Sequence, residues 1–345
     1  MIRPQSSELR LRLISNRVKY HDPSAAAGGT KLWKVRNTDL VATHRLIIGC
    51  GYLGRRVASR WLAEGDSVTA LTRSAENAAE LKTIGIEPVL GDVLSPHTLV
   101  ALPEVETVLW AVGWDRTSGP TQREVYVSGL ENVLRQITGR CSRLISISST
   151  SVYGQSGGEW VDESTPCTPT QPNGQVCLAA EQLLGHWLPG TGKIPAATAI
   201  RLSGIYGPNR LLSRVAALRS GEPLAGNPEA WLNLIHVEDA ADVVVHCAAA
   251  APQHPLFLIS DNEPLTRRTY YQALAELVSA PAPRFTEEVG ERDSTPVPAG
   301  ETRTLGFNKR CRNIFARQAL NWEPRFPTYR EGLAQAVGQS SRGTP

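Results

Sequence analysis

Six consecutive residues constrain this chain more than any others: Gly49-Cys50-Gly51-Tyr52-Leu53-Gly54. A short apolar run, Leu46-Ile47-Ile48, precedes them, and Val57, Ala58, Trp61 and Leu62 follow at helical spacing. A second apolar run, Ser67 to Leu71, comes after Glu64-Gly65-Asp66. Glycines spaced G-x-G-x-x-G between a strand and a helix fit one local geometry. The first allows a tight turn, the second lets backbone approach a ligand closely, and the third lets the helix pack on the strand. The amino end of the helix then offers N–H groups to an anion. The pattern predicts a βαβ unit that holds the pyrophosphate of a dinucleotide on Gly49, Gly51, Tyr52, Leu53 and Gly54.

The end of the second strand bears on which dinucleotide. NAD sites place Asp or Glu about 20 residues on, to bond the ribose 2′-OH. This strand ends Leu71-Thr72-Arg73-Ser74, with no acid. Arg73 suits a 2′-phosphate and Ser74 adds a hydroxyl, so NADP is favoured over NAD. Further strands are expected at Glu87–Leu90, Thr107–Val112 and Arg143–Ile147, with a helix from about Gln122 to Gly139. Asp92 and Val93 after the third strand, and Ala111 and Val112 at the end of the fourth, join the cofactor candidates. Strands alternating with helices imply a parallel sheet with right-handed crossovers. The expected fold class is α/β: a Rossmann-type doubly wound parallel sheet, to which the family resemblance carried by the motifs along the whole chain adds a smaller C-terminal α+β substrate lobe.

Charge divides the chain. Its 345 residues carry a net charge of +3, yet residues 1–44 hold eight basic and three acidic residues, which leaves the body at −2. Residues 1–44 are expected to be a disordered basic extension with no secretory h-region; Met1 is the only Met, so a later start needs a non-ATG codon such as Val35 or Val41. The expected organisation is a dinucleotide-binding domain over 45–200, a substrate lobe interleaved with it over 201–338, and a tail over 339–345. The negative body argues against nucleic acid as a partner, and no apolar run reaches the ~18 residues of a membrane span. Six scattered cysteines with no C-x-x-C spacing suggest reduced thiols in a cytoplasmic protein, and no metal site is expected.

Five motifs in order carry a family resemblance. They are Gly49–Gly54, Gly91-Asp92-Val93, Ser148-Ser149-Thr150-Ser151-Val152-Tyr153-Gly154, Arg201–Pro208 (Arg-Leu-Ser-Gly-Ile-Tyr-Gly-Pro) and Asn233–Ala241. Over about 45–338 the chain resembles the extended short-chain dehydrogenases/reductases, a superfamily that includes nucleotide-sugar epimerases and dehydratases. Within it the chain looks most like the atypical YeeZ-type subgroup. The resemblance implies an NAD(P)-binding oxidoreductase or epimerase-like enzyme acting on a small carbonyl compound, aldehyde or nucleotide-sugar, in a possible homodimer.

The same resemblance exposes a departure. Family members use Ser or Thr with a Tyr-x-x-x-Lys pair, in which Lys lowers the Tyr pKa and Tyr exchanges a proton with substrate. Ser149 matches the serine. Where the family pattern resembles Tyr-Gly-x-Ser-Lys-Leu-Ala-Ala-Glu, this chain reads Asn173-Gly174-Gln175-Val176-Cys177-Leu178-Ala179-Ala180-Glu181. No tyrosine has Lys four residues later, and no Lys lies between Lys82 and Lys193. Asn is no proton donor and Cys no fixed cation. Tyr153, the phenol nearest Ser149 in sequence, is the candidate substitute. Asp115, Arg210 and Asn233 are the candidate substrate ligands. A non-catalytic NAD(P)-binding sensor or scaffold is the alternative function.

Overall fold

The computed structural model describes residues 18–19, 32–33, 42–187, 194–210, 212–250, 254–286 and 308–340. The expected basic extension lies outside the described residues, apart from Ala42 to His44 and an antiparallel ladder of Val18–Lys19 with Leu32–Trp33. Residues 341–345 and the prolines 296 and 298 also lie outside them.

A seven-stranded parallel sheet forms the centre. Its strands are β1 His44–Ile48, β2 Ser67–Thr72, β3 Glu87–Leu90, β4 Val105–Trp110, β5 Cys141–Ser149, β6 Ala197–Leu202 and β7 Leu256–Ile259. Their order is β7-β6-β5-β4-β1-β2-β3. The chain runs outward from β1 to β3, then returns to the other side of β1 as β4. That reversal opens a crevice beyond the carboxyl ends of β1 and β4, where ligands of such sheets bind.

Both faces of the sheet are covered, which explains the uninterrupted apolar run of β1. Ile47 packs with Val57, Ala58 and Trp61 of α1 (Gly54–Ala63) and with Val243 and Val244 of a later helix. Leu46 and Ile48 point the other way, onto Leu130, Val133 and Leu134. Period-2 alternation thus assigns each β1 side chain to a face. After β2 comes α2 (Ala75–Thr83), and after β4 come a single π-turn at Glu124–Ser128 and α3 (Gly129–Ile137). α4 (Pro172–Gly185) follows β5.

The second half returns to the sheet before and after forming its own lobe. α5 (Leu212–Arg219), α7 (Arg267–Leu277) and α9 (Tyr329–Ser340) enclose a separate core of Tyr206, Leu218, Tyr270, Leu274 and Leu333. α6 (Val237–Ala250) and α8 (Ile314–Leu320) instead cover the sheet beside α1. One short parallel ladder, Glu159–Val161 with Lys309–Cys311, joins the two halves, and a second, Gly204–Tyr206 with Leu234–His236, lies within the second half.

Several expected boundaries shift. β4 runs Val105–Trp110, not Thr107–Val112, so Ala111 and Val112 lie past its end. The expected helix 122–139 is divided by the π-turn. β5 extends to Ser149. His236, expected to open a helix, ends a strand instead; α6 begins at Val237. The helix expected from Pro264 begins at Arg267, where Thr266 caps it by accepting from Thr269 N. Among the described residues, no helix is long and apolar enough to cross a membrane.

Candidate functional site

The glycine loop links β1 to α1 at the crevice. Gly49 has φ +94°, and a Cβ there would lie 2.6 Å from the backbone of Ala111 and Val112. The loop is therefore pressed against the end of β4, where Ala111 N donates to Ile48 O at 2.8 Å. A Cβ on Gly54 would lie 2.7 Å from Gly49 O, so only glycine lets α1 start this close to β1. Gly51 differs from both: nothing lies within 4 Å of where its Cβ would stand. Its backbone faces open space. The start of α1 has no side-chain cap and no acid in its first turn, so its positive end is not offset there.

A cleft of about 870 Å³ opens there. Gly49, Gly51, Tyr52, Leu53, Arg73, Ser74, Asp92, Val93, Ala111 and Val112 all line it. Gly54 does not; it is buried beneath the loop. At one end Ser74 caps α2 by accepting from Asn77 N at 3.2 Å, with Arg73 exposed beside it. Asp115 also lines the cleft and is exposed. Hydrogen bonds from Thr117 hold its carboxyl below the usual range, with a smaller contribution from Arg73. Asp92 Oδ1 accepts from Leu94 N at 2.8 Å, which fixes the turn after β3.

Ser149 and Tyr153 are not among the residues lining this cleft. Ser149 is half-buried and its Oγ accepts from Ser151 N at 3.1 Å, capping a short 3-10 turn. Tyr153 is wholly buried. Its hydroxyl donates to Asp162 O at 2.7 Å and accepts from Arg201 Nη1 at 2.8 Å. Burial, partly offset by Arg201, pushes its phenol far above the ordinary value. Arg201 in turn pairs with Glu181 of α4, which also accepts from Ser148 Oγ.

The positions of the missing pair are equally plain. Asn173 is exposed on the first turn of α4. Cys177 is buried with Val152, Tyr153 and Cys311, and burial raises its thiol pKa. A lysine does reach this region from elsewhere. Lys309 is buried and its Nζ donates to Tyr153 O at 3.2 Å; burial lowers its pKa to about 8.

Arg210 lines the cleft beside the glycine loop. Asn233 does not, and its amide is committed to the strand Lys309–Cys311. Its Nδ2 donates to Lys309 O at 2.8 Å and its Oδ1 accepts from Cys311 N at 2.6 Å.

Sequence reasoning missed Asn77, Tyr126, Ile147 and Ile205, which also line the cleft. Tyr126 is the phenol among them, half-buried in the π-turn, with its hydroxyl accepting from Trp114 N at 3.3 Å. Burial raises its pKa, and the Cys177 thiol is among its electrostatic neighbours. In sequence Tyr126 shares a helical stripe with Leu130, Val133 and Ile137, so it reads as core. Among the described residues, no cluster of His, Cys, Asp and Glu is placed to hold a metal ion.

Comparison with known proteins agrees with this architecture. The chain is 30% identical to Protein YeeZ of Escherichia coli (strain K12) over 247 residues, 69% of this chain and 85% of that one. It is 25% identical to a dTDP-6-deoxy-L-talose 4-dehydrogenase (NAD(P)(+)) of Kitasatospora kifunensis over 308 residues, 83% of this chain and 92% of that one. The structure of a putative NAD-dependent epimerase/dehydratase from Methylobacillus flagellatus superposes with a TM-score of 0.65 at 29% identity, covering 86% of this chain and 98% of that one. Residues 46–258 match the model of the NAD dependent epimerase/dehydratase family, and the chain belongs to that family.

Proposed function

We propose that the cleft holds NADP(H), with NAD(H) as the weaker ligand. On this reading the chain is an oxidoreductase or epimerase-like enzyme for a small carbonyl compound, an aldehyde or a nucleotide-sugar. The open space over Gly51, at the uncapped start of α1, is the observation that carries the dinucleotide reading. A pyrophosphate fits where a side chain would otherwise project. Arg73, Ser74 and Asn77 are the 2′-phosphate subsite: a planar cation and two polar groups at the carboxyl end of β2, a strand that ends without the Asp or Glu that would bond a ribose 2′-OH. The Kitasatospora relative is named for a nucleotide-sugar reaction and for both nicotinamide cofactors, which supports this substrate class.

A bound nicotinamide supplies hydride transfer, and the accompanying proton must come from this chain. Tyr153 spends its hydroxyl on Asp162 and Arg201 inside the core, so we read it as a positioning residue. Ser149, committed to its own turn, is retained as a polar neighbour of the substrate. Two phenols line the cleft; Tyr52 spends its hydroxyl on Pro208 O, so we assign the proton to Tyr126. Asp115, at the rim near Arg73, is left to shape the cleft, and Asn233 acts from outside it by holding the Lys309–Cys311 strand. We further read the protein as a homodimer, which the family resemblance implies, and as cytoplasmic, which its six scattered cysteines suggest.

One observation favours a second reading, a non-catalytic NAD(P) sensor. Asn173 and Cys177 stand where the reacting pair belongs, and Cys177 is packed in core with its thiol kept protonated by burial.

Calorimetric titration with NADPH and NADH, on the wild type and an Arg73→Ala variant, tests the proposal. Losing a charge-assisted contact should weaken NADPH about tenfold or more and leave NADH unchanged. Absence of binding by either nicotinamide would remove both readings. Turnover of a carbonyl compound by the NADPH-loaded protein separates enzyme from sensor.

A further inference from the structure

The turn that opens the second lobe lies directly against the glycine loop. The strand Gly204–Tyr206 runs into Gly207-Pro208-Asn209-Arg210. Gly207 has φ +149°, and a Cβ on it would come within 2.7 Å of both Tyr52 Oη and Val237 Cγ1. Tyr52 Oη donates to Pro208 O at 2.9 Å. Asn209 then adopts a left-handed φ of +65°, which ends the extended path. Arg210 follows with its guanidinium 5.1 Å from the Tyr52 ring centroid. Arg56 also stacks on that ring, at 4.2 Å, but is ion-paired to Glu238 at 2.8 Å. Among the described residues Arg210 has no carboxylate partner, and it is exposed within the cleft that Gly49 and Gly51 line.

Its sequence context suggests a substrate ligand, but its surroundings are those of the cofactor loop. We infer that Arg210 is a ligand of the dinucleotide's own pyrophosphate, supplied by the second lobe across Tyr52. The inference rests on the dinucleotide reading above. An uncommitted guanidinium beside the uncapped start of α1 adds a planar, charged fork to the backbone N–H groups there, where the neighbouring Arg55 is already paired with Glu80 at 2.6 Å. Tyr52 fixes the distance between the two contributions through its bond to Pro208. The pyrophosphate is then held from both lobes, and bound cofactor fastens them together. A nucleotide-sugar substrate carries the same diphosphate chemistry, so the two sources must be separated.

The experiment is calorimetric titration of wild type, Arg210→Ala and Arg210→Lys with three probes: NADPH, ADP and UDP-glucose. Arg210 is exposed, so both variants should fold, which circular dichroism checks. The expected result is that Arg210→Ala weakens NADPH and ADP by a similar factor, about tenfold or more, because both share the pyrophosphate contact. Arg210→Lys should recover part of that loss, and any UDP-glucose affinity should be unchanged. Unaltered NADPH affinity in Arg210→Ala overturns the inference while leaving the dinucleotide reading intact. So does a loss confined to UDP-glucose, which returns Arg210 to the substrate. Failure of the wild type to bind either NADPH or ADP overturns both.

Discussion

Arg201 and Glu181 form an ion pair at 2.7 Å with side chains only 6% and 12% exposed. The pair joins β6 to α4 and also satisfies Ser148 and Tyr153. Glu181 belongs to the helix whose first turns carry Asn173 and Cys177. The helix that carries Asn173 and Cys177 is therefore tied to the sheet by a charged network.

Breaking one partner of such a pair leaves a buried charge uncompensated. Glu181→Gln should lower unfolding stability by about 3–5 kcal/mol, read from urea denaturation at pH 7. Replacing both, as Glu181→Leu with Arg201→Met, should cost much less than the two single changes added together. A single-variant loss below about 1 kcal/mol would mean that water reaches the pair and screens it.

The three glycines of the loop should separate folding from binding. Gly54→Ala brings a Cβ within 2.7 Å of Gly49 O and should lower the melting temperature. Gly51→Ala meets no atom within 4 Å, so the melting temperature should hold within a few degrees while NADPH binding falls at least tenfold. If Gly51→Ala binds NADPH normally, the pyrophosphate does not lie over the second glycine.

Most of the sheet and the loop were legible because their causes are local. β3 occupies Glu87–Leu90 as expected, and the close packing at Gly49 and Gly54 follows from φ and from the space that a Cβ would need. What was not legible is set by contacts distant in sequence. Lys309 meets Tyr153 across 156 positions, and Tyr52 meets Pro208 across another 156. No spacing rule connects them. In sequence the amide of Asn233 looks like a ligand, because nothing there shows that Lys309 O and Cys311 N need it. Tyr126 was hidden by its periodicity: a core stripe and a cleft wall look alike when one helix carries both.

Asp261 should make stability fall with pH. It is almost wholly buried. Its Oδ2 has no hydrogen-bond partner among the described residues, and burial raises its pKa from 3.8 to about 8. Between those values the folded state keeps a proton that the unfolded chain has released, so unfolding becomes easier as pH rises from about 4 to 8. Asp261→Asn removes this slope and should stabilise the protein at pH 7 by about 1 kcal/mol or more. Melting curves from pH 5 to 8 would show the wild-type decline and its loss in the variant. A wild-type decline that persists in Asp261→Asn would assign it to another group.

Tyr126→Phe should divide binding from chemistry. The change removes one hydroxyl from the cleft wall and leaves the ring. The glycine loop, Arg73 and Ser74 are untouched, so NADPH affinity should stay within about twofold. For any carbonyl compound that the wild type reduces, loss of the proton donor should lower kcat by about 10²–10⁴. Tyr153→Phe provides the contrast. It removes a buried hydroxyl that bonds Asp162 O and Arg201. It should therefore cost about 1–3 kcal/mol of stability with a much smaller effect on kcat. The opposite pattern, with kcat lost in Tyr153→Phe and kept in Tyr126→Phe, would move the proton to Tyr153. It would also require the Asp162 and Arg201 contacts to open when substrate binds.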